Sequence, residues 1–102
     1  KNSCFVKDSN VTIVVIGNEL SEFWQQDLGA VTQNILLEST HLNIGSCWIG
    51  IAPNNQHETY IKELLNVPRD KRVFCMVSLG YSAEIKELND FYDESRVHNN
   101  MY

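Results

Sequence analysis

Apolar residues are concentrated in five segments of this chain, and their spacing predicts the secondary structure of each. Val11–Ile16 and Val73–Gly80 are nearly continuous in apolar character, which is typical of strands covered on both faces. Phe23–Leu42 repeats apolar residues every three to four positions, the period of a helix with one buried face. Gln56–Asn66 shows the same period over a shorter length, and Cys47–Ile51 is a short strand-like run.

The predicted order is strand, long helix, short strand, helix, strand and a polar tail over Ala83–Tyr102. This order favours an α/β (α+β) domain with a central sheet flanked by helices. We expect Val11–Ile16 to be a central strand. Three strands are few for an independent sheet, so we expect further sequence or a second subunit to complete the core. The chain has 102 residues, enough for one domain, and its first residue is Lys1, so we expect a piece of a longer protein.

The long helix has a candidate signal at each end. Ser21 is a candidate N-cap, because its hydroxyl can accept a hydrogen bond from a free amide of the first turn. Gly45 is the candidate stop, because glycine adopts a positive φ at no steric cost. The side chains expected to face the core are Trp24, Leu28, Val31, Ile35, Leu36, Leu37 and Leu42 in this helix and Tyr60, Ile61, Leu64 and Leu65 in the next.

Charge and cysteine content exclude several classes of protein. The net charge of −5 disfavours a nucleic-acid partner, which would require a basic face. No apolar run approaches the length of a membrane span. Cys4, Cys47 and Cys75 are far apart and odd in number, which disfavours structural zinc and a disulfide framework and fits a reducing, cytoplasmic setting. The three histidines lie in no metal-ligand spacing, and no catalytic motif is present.

Two residues have both a structural and a functional interpretation. Gly50 lies inside a short strand, where glycine costs stability, so something is expected to approach the backbone closely. A flat ligand and a packed helix both fit. Arg96 follows Asp93 and Glu94 in the tail. Its guanidinium either forms a weak surface ion pair with them or binds a phosphate in bidentate fashion.

Four stretches, in this order and at this spacing, resemble the C-terminal half of the FMN-dependent nitroreductase family. They are Trp24–Leu37, Ile44–Gly50, Val77–Tyr81 and Tyr92–His98. The resemblance implies a nitroreductase-like fold, with these residues as the C-terminal portion of a single domain plus a C-terminal extension. The N-terminal half of that domain, which supplies further FMN-binding residues in the family, is absent from this sequence.

The same resemblance implies a chemistry. Family members are homodimers with FMN at the interface, and NAD(P)H reduces the flavin by hydride transfer. The flavin then reduces a nitroaromatic, a quinone or a related small acceptor in a ping-pong cycle. By position, Trp48, Ile49, Gly50 and Ile51 match the segment along the flavin ring, and Arg96 matches the arginine that contacts the FMN phosphate. No catalytic side chain or metal is implied. The alternative is a truncated, non-catalytic dimerisation or flavin-binding module.

Overall fold

A computed structural model describes residues 4–85 and 87–102 of the protein, with side chains from residue 6 onward. The strands are β1 (Val11–Gly17), β2 (Gly45–Gly50) and β3 (Arg72–Gly80), and the helices are α1 (Trp24–His41) and α2 (Asn55–Leu65). Short 3-10 helices cover Cys4–Asp8 and Glu94–Arg96. The predicted order of strands and helices is confirmed, and each boundary lies within two residues of its predicted place.

The three strands form one antiparallel sheet in the order β1-β3-β2. The central strand is β3, whose residues Val73, Cys75 and Val77 have no exposed surface. The prediction that the first strand is central was wrong, because β1 lies at an edge of this sheet. Its residues Val11 and Ile16 are 54% and 38% exposed. An unbroken apolar run indicates side chains suited to burial but carries no information about pairing order.

A bulge in β3 changes which face its side chains occupy. Val15 pairs with Cys75 and Ile16 pairs with Val73, so Phe74 has no partner on β1. A bulge of this kind interrupts the alternation of side chains between the two faces. Val73 therefore joins the core cluster that includes Ile61 of α2. The neighbouring Phe74 instead meets aromatic side chains, including one from α1.

Helix α1 ends in a Schellman motif at Asn43, so the prediction that Gly45 stops the helix was wrong. Asn43 has the left-handed conformation, with φ 58°. The amides of Asn43 and Ile44 donate to the carbonyls of Thr40 and Ser39 at 3.1 and 2.8 Å. Gly45 is already a strand residue. A Cβ there would lie 3.0 Å from a backbone oxygen of β3, so this glycine permits close strand pairing.

The sheet-facing side of α1 differs from the predicted apolar stripe. Its buried residues are Thr32 and Ser39, and Val31, Leu37 and Leu42 are between 46% and 59% exposed. Each buried hydroxyl is satisfied within the helix. The Thr32 hydroxyl donates to the carbonyl four residues earlier at 2.6 Å, and that of Ser39 to the carbonyl three residues earlier at 2.8 Å. Small polar side chains bonded to their own helix thus let α1 lie close to the sheet.

The two helices begin differently. Phe23 occupies the N-cap position of α1 and makes no side-chain cap, so the predicted cap at Ser21 is not formed. Asn54 caps α2, and its side chain accepts from the amide of His57 at 3.1 Å. Asn66 ends α2 in the left-handed conformation, with φ 53°. Helix α2 therefore has an asparagine cap at each end, whereas α1 has no side-chain cap at its first turn.

Much of the predicted apolar side of α2 is exposed, and so is the tail. Ile61 is buried, but Tyr60, Leu64 and Leu65 are 66%, 63% and 49% exposed. Every described residue after Gly80 is also exposed. The radius of gyration is 16.5 Å, whereas a compact chain of this length has about 13 Å. The C-terminal extension therefore projects from the folded body.

Candidate functional site

The segment Trp48–Ile51 lies at the outer edge of the sheet. In the described part of the chain, β2 pairs on one side with β3 and on the other with no strand. Ile49 and Ile51 are buried, at 8% and 4% exposure, and Trp48 and Gly50 are exposed. Because alternate residues of a strand face opposite sides, the two isoleucines anchor the segment in the core and leave Trp48 and Gly50 accessible.

Gly50 has open space where a side chain would project. Apart from Gly50 and its two chain neighbours, no described residue has an atom within 4 Å of the position that a Cβ would take, so a packed helix is not what this glycine accommodates. Gly17 provides a contrast, because a Cβ there would lie 2.6 Å from Leu28 Cδ1. Gly17 is therefore a packing glycine, whereas the space at Gly50 is free for a ligand.

A cavity of about 300 Å³ lies beside this segment. It is lined by Ile49, Gly50 and Ile51, by Met76 of β3 and by His57, Tyr60 and Ile61 of α2. Small-molecule sites are typically concave and mostly apolar with a few polar groups, and their volumes begin at about 300 Å³. The lining of this cavity is mostly apolar, and its volume is at the lower end of that range.

Arg96 is not joined to this segment by any contact that the structure describes. It ends the 3-10 helix Glu94–Arg96 in the exposed tail, and its amide donates to the Asp93 carbonyl at 3.1 Å. Within the described ranges, its guanidinium forms no ion pair with Asp93 or Glu94. The surface ion pair considered from the sequence is therefore not formed, and the phosphate-binding role stays a prediction.

An ion-pair cluster that the sequence analysis missed lies at the start of β3. Arg72 Nε and Nη2 donate to the two carboxylate oxygens of Glu58 at 2.7 and 3.0 Å, and Nη1 donates to Glu19 at 2.9 Å. Glu58 also accepts from the Val73 amide at 3.1 Å and is only 5% exposed. The hydrogen bonds from Arg72 lower the pKa of Glu58, although burial acts in the opposite direction. The one signal in the sequence is a carboxylate three residues before Ile61, on the buried side of α2.

Four side chains lie in contact in a row, in the order Arg72, Trp24, Phe74 and Trp48. Arg72 Cζ lies 5.1 Å from the ring centroid of Trp24, within the range of a cation–π contact. Phe74 meets Trp24 edge-on at 6.2 Å and Trp48 at 6.1 Å between ring centroids. Trp48 is 40% exposed, so it is the outer end of this row and not the buried core residue that its apolar run suggests.

The two described cysteines lie in opposite environments. Cys75 is fully buried, with its Sγ 3.3 Å from the Thr32 hydroxyl, and burial raises the pKa of its thiol. Cys47 is exposed. The side chain of Cys4 lies outside the described residues. Because the thiolate is the reactive form, Cys75 is expected to be inert while the protein is folded.

Thiol labelling tests this difference. In a Cys4→Ser background, we expect a chromogenic disulfide reagent to modify one thiol in the folded protein and a second only in denaturant, because Cys75 must be uncovered first. The further change Cys47→Ser should remove the fast phase, and Cys75→Ser should leave it. A folded protein in which Cys75 reacts as fast as Cys47 would contradict the burial of Cys75.

The described ranges contain neither a metal-binding cluster nor a membrane-spanning helix. Among the residues described, no group of three or more His, Cys, Asp or Glu side chains is arranged to hold a metal ion. No helix in those ranges is both long and apolar enough to cross a membrane. The candidate site is the β2 edge at Trp48–Ile51, because it combines the open space at Gly50 with the adjoining cavity.

Known proteins resemble this chain in both sequence and fold. The nitroreductase family model matches residues 1–81. A protein of Archaeoglobus fulgidus, named provisionally as an NADH dehydrogenase/NAD(P)H nitroreductase, is 40% identical over 80 residues, which cover 76% of this chain and 46% of that protein. An FMN-dependent nitroreductase of Clostridium difficile R20291 is 32% identical with a TM-score of 0.86, over 96% of this chain and 61% of that one. A Bacteroides fragilis nitroreductase solved with bound FMN is 22% identical and shares the fold, with a TM-score of 0.71 over 100% of this chain and 56% of that one.

The extent of these matches differs along the chain. The chain spans about half the length of the curated relatives it matches, 46% of one and 51% of another. The family match ends at residue 81, so the tail that carries Arg96 lies beyond it. The α+β fold with a small sheet and flanking helices, predicted as nitroreductase-like, is confirmed by the solved structures. On the match to residues 1–81, this chain belongs to the nitroreductase family.

Proposed function

We propose that this chain is part of an FMN-dependent oxidoreductase that uses NAD(P)H to reduce nitroaromatic, quinone or related acceptors. The observation that carries the proposal is the open backbone at Gly50, where no described residue beyond its two chain neighbours has an atom within 4 Å of a Cβ position. A planar ring can approach the backbone of a strand closely where glycine leaves no side chain in between. Support comes from the membership of the family and from the C. difficile relative, which is named as FMN-dependent and is 32% identical.

The residues present fit a flavin. Gly50 leaves room for the ring, and the exposed part of Trp48 offers an aromatic wall on the same side of the strand. The outer edge of β2 has backbone groups without a strand partner in the described chain. Arg96 presents an exposed guanidinium, whose planar fork suits a phosphate. Bound FMN would supply the hydride chemistry, so this chain needs to bind and orient the ring but needs no catalytic acid or base.

The proposal includes a homodimer with FMN at its interface. It is supported by an apolar groove of about 470 Å³ between α1 and the sheet, which Val31, Ile35, Leu42 and Ile44 help to line. Val31 and Leu42 are 46% and 55% exposed. Soluble monomers seldom leave large contiguous apolar surfaces uncovered, so we expect protein to cover this groove.

Flavin uptake tests the proposal directly. Purified protein incubated with FMN and then desalted should keep the flavin absorbance, and it should oxidise NADH or NADPH when a quinone is added. Protein that stays colourless and inactive would contradict the proposal for this chain. Retained flavin without turnover would support the second candidate, a flavin-binding or dimerisation module.

Replacing Arg96 with alanine tests the phosphate contact. We expect FMN binding to weaken by ~1.5–3 kcal/mol, the contribution of a hydrogen bond to a charged group. The unfolding midpoint should not change, because Arg96 is exposed and its guanidinium has no described ion pair. Both are measured by FMN titration and urea unfolding. Arg69→Ala, which also removes an exposed arginine, is the matched control. Equal losses of affinity in the two variants would contradict a specific role for Arg96.

A further inference from the structure

We propose that Arg72 is a positioning residue for Trp48 and acts through the rings of Trp24 and Phe74. Its effect is to hold the Trp48 side chain in place beside Gly50. The proposal rests on the proposed function, because it is there that Trp48 and Gly50 are assigned to the flavin. Arg72 itself is not among the residues matched to the cofactor, and nothing requires it to touch a ligand.

The first step is the anchoring of Arg72. Three of its nitrogens donate hydrogen bonds, two to Glu58 and one to Glu19, at 2.7 to 3.0 Å. The Glu58 side chain is 7% exposed and that of Arg72 is 25% exposed, so the pair is largely shielded from solvent. A bidentate contact fixes the plane of a guanidinium as well as its position. Arg72 is therefore held rigidly at the start of β3.

Arg72 also contacts the beginning of α1. The guanidinium carbon lies 5.1 Å from the ring centroid of Trp24, the first residue of that helix. The N-cap residue Phe23 makes no side-chain hydrogen bond to the first turn, so only backbone hydrogen bonds hold this helix end. A cation beside a helix N-terminus opposes the helix dipole, so helix electrostatics do not account for the placement of Arg72. The ion pairs with Glu58 and Glu19 hold Arg72 at this place, and its guanidinium there lies over the Trp24 ring.

Phe74 connects Trp24 to Trp48 at the candidate flavin site. The bulge in β3 brings Phe74 to the same cluster, where it meets Trp24 at 6.2 Å and Trp48 at 6.1 Å between ring centroids. Trp48 and Gly50 are two positions apart on β2, so they face the same side of the strand. A shift of Trp24 therefore changes the surface against which Trp48 packs. The exposed side of Trp48 lies next to the open space at Gly50.

The proposal predicts two effects of breaking this row. Trp48 should gain rotamers when Arg72 or Trp24 is replaced, because its inner neighbour Phe74 is no longer held. FMN binding should weaken by about fivefold to tenfold, the size of effect seen for mutations within a packed network that do not touch the ligand.

Fluorine NMR gives a readout that needs no flavin. The protein has two tryptophans, so labelling with 5-fluorotryptophan gives two signals, which Trp24→Phe assigns. We expect Arg72→Gln to shift or broaden the Trp48 signal, and Trp24→Leu to do the same while the Arg72–Glu58 pair stays intact. Adding Arg72→Gln to Trp24→Leu should cause no further change in the Trp48 signal. Arg69→Gln is the matched control and should leave both signals unchanged.

The outcomes separate this proposal from the proposed function. A Trp48 signal that is unchanged in folded Arg72→Gln and Trp24→Leu protein, judged by far-UV circular dichroism, would overturn the positioning role. Independent, additive changes in the double variant would overturn the route through Trp24. If Arg72→Gln does not fold, Arg72→Lys, which keeps the charge but cannot make the bidentate contact with Glu58, takes its place and is judged by the same signal. If the unmodified protein takes up no FMN, the proposed function fails, and the fluorine signals still decide whether the row positions Trp48.

Discussion

Replacing Glu58 with alanine is expected to lower the free energy of unfolding by about 3 kcal/mol. Glu58 is 5% exposed and accepts two hydrogen bonds from Arg72 and one from the Val73 amide. Its loss leaves a buried amide without a partner and a shielded cation with one carboxylate, that of Glu19. Because Glu19 still pairs with Arg72, we expect a loss of stability at the lower end of the range that is typical when one partner of a buried ion pair is removed.

Urea unfolding followed by circular dichroism measures this loss of stability. Two further variants serve as its comparison and its control. Glu58→Gln keeps an oxygen that can accept one of the hydrogen bonds, so its loss should be intermediate. Glu63→Ala removes an exposed carboxylate from the same helix and should change stability by no more than about 0.5 kcal/mol. Losses of the same size in Glu58→Ala and Glu63→Ala would show that the ion pair with Arg72 does not support the fold.

The same carboxylate gives the protein a defined response to acid. Hydrogen bonds from Arg72 hold the pKa of Glu58 below its ordinary value of 4.5, so the folded state binds this proton more weakly than the unfolded state. The stability from Glu58 is fully present above the unfolded pKa and is lost as the pH falls through the folded pKa. The difference in stability between the unmodified protein and Glu58→Gln should therefore be constant above about pH 5 and shrink below about pH 4. A difference that grows on acidification would contradict this assignment.

The second large effect is expected at Gly50. Gly50→Leu should weaken FMN binding by about 3 kcal/mol, which is the upper end of the cost of overpacking, because a rigid ring cannot move aside from a new side chain. The fold should tolerate the change. Gly50 does not have a positive φ, and a Cβ would enter open space. Replacing glycine within a strand can even raise stability by about 0.5–1 kcal/mol.

Two glycines elsewhere serve as controls for this test, which combines FMN titration with urea unfolding. Gly29 also has no atom within 4 Å of a Cβ position, but it lies in α1, so Gly29→Ala should raise stability by up to ~1 kcal/mol and leave FMN affinity unchanged. Gly17→Ala should force the Leu28 side chain to move, because the new Cβ would lie 2.6 Å from Leu28 Cδ1, and should leave FMN affinity unchanged. If Gly50→Leu bound FMN as tightly as the unmodified protein, Gly50 would not face the flavin.

The order of elements could be predicted from the sequence because each follows from local periodicity. Val73–Gly80 was expected to be a buried strand, and β3 is the most buried strand of the sheet. The sequence also predicts that a group approaches the Gly50 backbone closely; the described residues leave open space there, so the identity of that group stays a prediction. Both features depend on residues near each other in the chain.

The features that could not be predicted depend on contacts between distant segments or on choices between similar residues. Arg72 and Glu58 are 14 residues apart, and Glu19 is 53 residues from Arg72, so no spacing rule joins them. Asn43 and Gly45 were both able to end α1, and the close pairing of β2 with β3 required the glycine in the strand. The buried positions of α1 are Thr32 and Ser39, which an apolar pattern does not reveal.

The placement of β3 between β1 and β2 also determines when the sheet can form. β1 ends at Gly17 and β2 at Gly50, but their common partner begins only at Arg72. During synthesis, two apolar strands therefore leave the ribosome before any described strand is available to pair with them. Joining β1 to β3 closes a long loop, and such distant pairing makes folding slow. The apolar side chains and open edges of β1 and β2 thus stay unpaired by any described strand until residues 72–80 emerge, and such exposure favours aggregation.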